Sequence, residues 1–332
     1  MRRSLLVLAF LIVAVAAVVA LVPGLESLRE SFSGARPGWL AIAAGLEVLS
    51  CLSYVLAFRG VFCPRARWVT CYEIGTAELA TNSVLSVGGA GGLTLGALVL
   101  RRAGMPAVQI ARRSVAFFLL TSLVNVAALI VAGAGLWTGV LPGSPSAALG
   151  FLPAAAGIAA IPLALSARPL AHGLGNWNQR PGVLQALEAV AGGVEEALSQ
   201  LRSGNPLIFV GAAGYMLFDV AVLGVCFHAF GNEVPSGGVL LLAYVIGQLG
   251  GLIPIPAGIG SVDGGLIGAL VLYGTGATEA AVAVLAYHAF VLWVPVMLGV
   301  PSLASLRRRP APGLWTDELP SSPLAGGLRR RA

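Results

Sequence analysis

Charge is scarce in this chain. Only 10% of its 332 residues are Asp, Glu, Lys or Arg, where a soluble domain carries about 25%. Lysine is absent, so all 20 basic residues are arginine. Cysteine is sparse as well: Cys51, Cys63, Cys71 and Cys226 show no Cys-x-x-Cys spacing, which argues against thiolate metal sites and disulfide scaffolds. The glycines around Gly88 are not followed by Gly-Lys-Ser/Thr, so there is no P-loop. No zinc motif and no nucleophile–base constellation is visible either. These absences exclude a soluble enzyme, a disordered chain and a nucleic-acid-binding domain, and the expectation is a non-enzyme with no metal and no cofactor.

What the chain has is apolar surface: 57% of residues are hydrophobic and the mean hydropathy is +0.89. The apolar runs are long and continuous, unlike the alternating strands of an outer-membrane barrel. Six of them suit full crossings of a bilayer: Ser4–Val22, Trp39–Phe58, Ser114–Trp137, Ala148–Ser166, Pro206–Phe230 and Glu279–Val300. The first is too long for the core of a cleaved signal peptide and lacks a clear cleavage site, so it reads as a retained span. With the N-terminus in the cytoplasm, 18 of the 20 arginines fall on the inner side, leaving only Arg29 and Arg36 outside. That is the positive-inside bias of a multi-pass bacterial inner-membrane protein, with both termini cytoplasmic.

Residues 1–306 form the transmembrane domain in this reading. Within it, residues 182–202 place Val183, Leu187, Val190, Val194, Leu198 and Leu201 at helical spacing opposite Glu188, Glu195 and Glu196, which predicts an amphipathic cytosolic connector. Residues 307–332 are rich in Arg, Pro and Gly and read as a disordered tail.

Two further apolar regions are broken. Tyr72–Leu100 is interrupted at Gly88, Gly89, Gly91 and Gly92, and Gly238–Tyr273 at Pro254, Pro256, Gly258 and Gly260. Each holds two pieces and is read as a re-entrant hairpin or a pair of short crossing helices. The two regions are related: Gly-Ala-Leu-Val-Leu occurs at Gly96–Leu100 and again at Gly268–Leu272, an offset of 172. Held without gaps from residue 47 to 124, that offset gives 18 identities in 78 pairs, against roughly 7 expected from so biased a composition. Glu47 falls opposite Asp219 and Gly88 opposite Gly260. Each unit, about residues 1–140 and 147–306, holds three full spans. Three is odd, so the second unit must be inverted. The fold class expected is therefore an all-α polytopic membrane protein with six spans, two broken hairpins and an inverted repeat, an architecture whose substrate site lies where the units meet.

The candidate substrate-binding residues follow from this layout. Interrupted backbone must face protein or a wet cavity, which singles out Gly88, Gly92, Pro254, Pro256, Gly258 and Gly260. A short helix is expected to begin near Ser261 and to offer its N-terminus to an anion. Asp263 would cap that helix and compete with an anionic ligand. Glu47 and Asp219 sit near the centres of their spans, where an ionisable group is costly and a functional role is the default reading. Glu73 and Glu78 are weaker candidates of the same kind. His228 and His288 read as packed, hydrogen-bonded side chains. Arg101 and Arg102 could gather anionic head groups, although orientation alone accounts for them.

The segment from Leu252, Leu-Ile-Pro-Ile-Pro-Ala-Gly-Ile-Gly-Ser-Val-Asp-Gly-Gly-Leu, resembles the signature of the lysylphosphatidylglycerol synthase transmembrane-region family, also described as flippase-like. Ala257 replaces a Gly of that pattern, and Asp263 stands where Glu is usual. Asn82, together with Arg101-Arg102-x-Gly104, is similar to the family's N-terminal signature, without its following Pro and its Gly-Asp/Glu-x-x-Arg element. The resemblance adds Asn82 to the candidates. It implies a helical bundle that moves or handles lipids or lipid-linked precursors, and it does not imply aminoacyl transfer, which belongs to a separate soluble domain. The leading expectation is a lipid translocase for a polar, anionic head group, with membrane lipids as partners. Two alternatives stay open: a small-solute transporter with or without proton coupling, and a non-transporting partner of envelope-biogenesis enzymes.

Overall fold

The structure, a computed structural model, describes residues 34–63, 66–84, 90–102, 104–143, 146–177, 181–253, 255 and 258–308. The expected first span Ser4–Val22 and the tail beyond Arg308 lie outside the described residues. Ten α-helices carry the rest of the described chain, with no strand among the described residues. They are α1 (Pro37–Phe62), α2 (Trp68–Val84), α3 (Ala90–Arg102), α4 (Ala107–Trp137), α5 (Ala147–Trp177), α6 (Pro181–Ser203), α7 (Pro206–Ala229), α8 (Gly237–Gln248), α9 (Ser261–Leu272) and α10 (Ala277–Arg308). Among the described residues, five stretches are long and apolar enough to cross a membrane: α1, α4, the Ala147–Ala167 part of α5, α7, and α10 through Leu306.

The boundaries follow local chemistry. Pro37 and Pro206 occupy first-turn positions, where a missing N–H costs nothing. Asn205 Oδ1 accepts from Leu207 N at 3.1 Å and Ser236 Oγ from Val239 N at 3.3 Å, capping α7 and α8. The sequence reading ends the last span at Val300, yet α10 continues through Pro301 to Arg308. Its extension is held by polar contacts to α2: Thr76 Oγ1 donates to Ser302 Oγ at 2.8 Å, and Ser305 Oγ donates to Glu73 Oε1 at 2.7 Å. The amphipathic connector is α6, packed on α4 and α5.

Helices α1 and α7 form the centre of the bundle. They run antiparallel: Arg36 N donates to Ala229 O, Trp39 stacks on His228, Ser50 meets Tyr215, and Gly60 lies against Ile208. Small residues line this seam. A Cβ on Gly211 would sit 2.4 Å from the backbone N of Ala57, so only glycine permits that approach. On one side Tyr54, Phe58, Phe62 and Phe117 join α1 to α4 as an aromatic cluster. On the other, the buried faces of α7 to α10 share a second apolar core.

Both broken regions are helical hairpins. Arms α2 and α3 pack together, as do α8 and α9. The α8–α9 pair is antiparallel and close, with Gly247 against Gly265 and Leu266. Twelve residues make each of α8 and α9, about 18 Å at 1.5 Å per residue, well short of a hydrocarbon core of about 30 Å. The break in the first hairpin differs from expectation: Gly91 and Gly92 belong to the first turn of α3, while Gly88 and Gly89 lie outside the described residues. An offset of 172 carries the starts of α1 to α4 (37, 68, 90, 107) to within three residues of the starts of α7 to α10 (206, 237, 261, 277).

Candidate functional site: a polar cavity where the two hairpins meet

A cavity of about 130 Å³ lies at the junction of α1, α2, α7, the second hairpin and α10. Glu47 and Cys51 reach it from α1, Tyr215 and Asp219 from α7, Asn82 and Ser83 from the end of α2, and Gln248 and Val262 from the second hairpin. Tyr287 and His288 close it from α10. The structure thus brings together Glu47, Asp219 and Asn82, three of the sequence candidates, and both hairpins contribute to one lining.

Asp219 is 2% exposed and well supplied with donors. Ser50 Oγ donates to its Oδ1, and Tyr244 Oη donates to its Oδ2 at 3.0 Å. Glu47, 1% exposed, touches Asp219 directly. Its Oε1 accepts only a weak bond from Cys51 Sγ at 3.8 Å, and its Oε2 is buried with no hydrogen-bond partner. Asn82 Oδ1 is likewise buried and unpartnered. Buried polar atoms are almost always satisfied in folded proteins, so two orphaned acceptors on one cavity mark the place where a ligand or water would bind.

The second hairpin is organised by Asp263. Helix α9 begins at Ser261 as the sequence predicts, but Ser261 is not its cap. Gly260 takes that position with φ +90°, which a side chain would resist, and Ser261 Oγ donates back to Gly258 O at 3.3 Å. The carboxylate of Asp263 supplies the cap by accepting from Gly260 N at 3.1 Å, while its other oxygen lies 2.7 Å from His288 Nδ1. The positive end of α9 is therefore already met by a negative charge from its own first turn.

Other candidates fall elsewhere. Arg101 and Arg102 are exposed at the end of α3 and do not line the cavity. Gly92 is helical, Gly258 turns the chain at φ +70°, and Gly88, Pro254 and Pro256 lie outside the described residues. Glu73 is engaged by Ser305, and Glu78 is buried beside Gly96 of α3. Among the described residues lining the cavity there is no arginine, whereas there are two carboxyl groups, Glu47 and Asp219. The α9 end expected to meet an anionic head group is capped by Asp263 of its own first turn, and the described lining carries the carboxyl groups of Glu47 and Asp219.

Sequence reasoning missed Ser50, Tyr215, Tyr244, Gln248 and Tyr287. A signal for two of them was present. Ser50 stands three residues after Glu47, and Tyr215 four before Asp219, the spacings that share a helix face with the acid. Among the described residues no group of three or more His, Cys, Asp or Glu is placed to hold a metal ion.

A long apolar bundle enclosing a small polar cavity defines an all-helical, multi-pass membrane protein. This chain belongs to the family described as the lysylphosphatidylglycerol synthase TM region, whose family model matches residues 6–299. Comparison with curated proteins returns no match. Membership places the protein among membrane proteins of lipid biosynthesis or translocation.

Proposed function

We propose that the protein is a lipid translocase of the bacterial inner membrane, passing the polar head group of a lipid or lipid-linked precursor through the cavity while its tails stay in the bilayer. The observation that carries this reading is the convergence of both hairpins and the Glu47–Asp219 pair on one polar cavity. The layout is that of an inverted repeat: α1 and α7 are equivalent under the 172-residue offset, and they pack antiparallel. Two hairpins too short to cross would then be re-entrant from opposite faces, with the exchange point between them. The lining favours a head group that donates hydrogen bonds, such as a polyol or an amine, over an anionic one.

The test is reconstitution of the full chain into vesicles carrying head-group-labelled lipids: phosphatidylglycerol, phosphatidylethanolamine, an aminoacylated lipid and a glycosylated polyprenyl lipid. Protein-dependent exposure of at least one label on the opposite leaflet is expected, reduced about tenfold in Glu47→Gln, as for loss of one charged contact. Absence of movement across the whole panel would overturn the reading.

A second reading, transport of a small solute, is favoured by the modest cavity of about 130 Å³. It predicts uptake of a soluble substrate by vesicles in which labelled lipids do not move.

A further inference from the structure

We propose that the cavity holds one monovalent cation, Na⁺ or H⁺, bound by Glu47 beside Asp219. The inference goes beyond lipid movement and does not depend on which substrate is carried. It starts from charge. Glu47 and Asp219 are both nearly fully buried and in direct contact. Two negative charges side by side in a low-dielectric interior cost several kcal/mol per ion unless they are compensated. Among the described residues no arginine lines the cavity.

The other titratable groups facing the pair do not compensate it. From α1 comes Cys51, whose thiol adds no positive charge. From α7 come Tyr215 and, about three turns further on, Cys226. From α8 comes Tyr244, already committed to Asp219. From α10 come Tyr287 and His288. His288 is the one group there able to carry positive charge, and it is 2.7 Å from Asp263, so a proton on it would be matched by that carboxylate. Among the described residues, none lining the cavity supplies the Glu47–Asp219 pair with a counter-charge.

Geometry then shows where a cation goes. Asp219 has Ser50 and Tyr244 as donors. The vacant acceptors are Glu47 Oε2 and Asn82 Oδ1, contributed by α1 and by the last turn of α2, and both residues line the same cavity. Lone pairs on orphaned oxygens accept a donor or a cation; beside two adjacent buried acids, the partner that also offsets charge is a hard monovalent ion that takes oxygen ligands or a proton on the carboxyl. Because Asn82 belongs to arm α2 and Glu47 to the central pair, occupancy would tie that arm to the bundle centre.

The purified full chain in detergent distinguishes the two ions. Binding of radiolabelled Na⁺ is measured at constant ionic strength with N-methylglucamine as replacement, and the infrared carbonyl band of protonated carboxyl groups is followed across a pH titration. Saturable Na⁺ binding, lost in Glu47→Gln, weakened several-fold in Asn82→Leu and unchanged in Glu188→Gln on the exposed face of α6, identifies Na⁺. No Na⁺ binding, but a protonated-carboxyl band at neutral pH that disappears in Glu47→Gln, identifies a proton. If Glu47→Gln does not fold, Asn82→Leu and Glu78→Gln decide: a Na⁺ isotherm weakened in Asn82→Leu, or a neutral-pH carboxyl band that persists in Glu78→Gln, whose buried carboxyl lies outside the cavity, supports the site. Neither Na⁺ binding nor such a band in the wild type overturns it, and this failure is separable from any result on lipid movement, because neither readout involves transport.

Discussion

His288 Nδ1 lies 2.7 Å from Asp263 Oδ1, joining α10 to the first turn of α9, while the other oxygen of the same carboxylate holds the amide of Gly260. One side chain thus caps a helix and fixes the second hairpin to the helix behind it. Asp263→Ala removes both roles and is expected to destabilise the protein by about 2 kcal/mol, a cap plus a buried hydrogen bond. Asp263→Asn retains an acceptor for Gly260 and should cost about half as much. A thermal-denaturation double-mutant cycle with His288→Ala checks this; strict additivity would refute the coupling.

The α1–α7 seam admits no added side chain at Gly211. A Cβ there would meet the Ala57 backbone at 2.4 Å, and backbone cannot give way as a flexible side chain does. Gly211→Val is expected to lower stability by about 2 kcal/mol or more through overpacking. Gly45, on the same helix α1 but exposed and with nothing within 4 Å of a Cβ, should accept Ala with no loss. Equal melting temperatures for the two variants would contradict the antiparallel seam.

Arg59 closes the turn after α1. Its Nη1 donates to Ala66 O at 2.6 Å, and its guanidinium lies 4.1 Å from the centre of the Trp68 ring. Planar stacking together with directed donation is beyond a lysine. Arg59→Lys should therefore lose about 1 kcal/mol although the charge is kept. Thermal stability compared with Arg59→Ala reports it, and a Lys variant as stable as wild type would show that charge alone matters.

All four cysteines are buried, at 1% exposure or less. In intact vesicles none should react with a membrane-impermeant maleimide. Single reporters at exposed positions then read topology: Arg202→Cys, just before α7, is expected to label from the cytoplasmic face, and Arg36→Cys, before α1 and beside the end of α7, from the opposite face. Labelling of both from one face would refute the proposed insertion.

Hydropathy and spacing alone determined which stretches are helical and apolar, because water-to-lipid transfer acts on each segment independently. They located the α6 connector to within a residue at either end, the two broken regions, the start of α9 at Ser261, and the two acids mid-span. Only the tertiary structure decided which of these residues meet. Ser50 and Asp219 are 169 positions apart, and Thr76 and Ser302 are 226 apart; periodicity within a helix carries no information about a partner at that distance. The same limit applies to the arginines. Arg101 and Arg102 look close to the first hairpin in sequence, yet α3 carries them to an exposed end away from the cavity, whose two carboxyl groups come from helices far apart in the chain. Burial preference is a local property of the chain, whereas charge complementarity arises only where helices from both halves pack together.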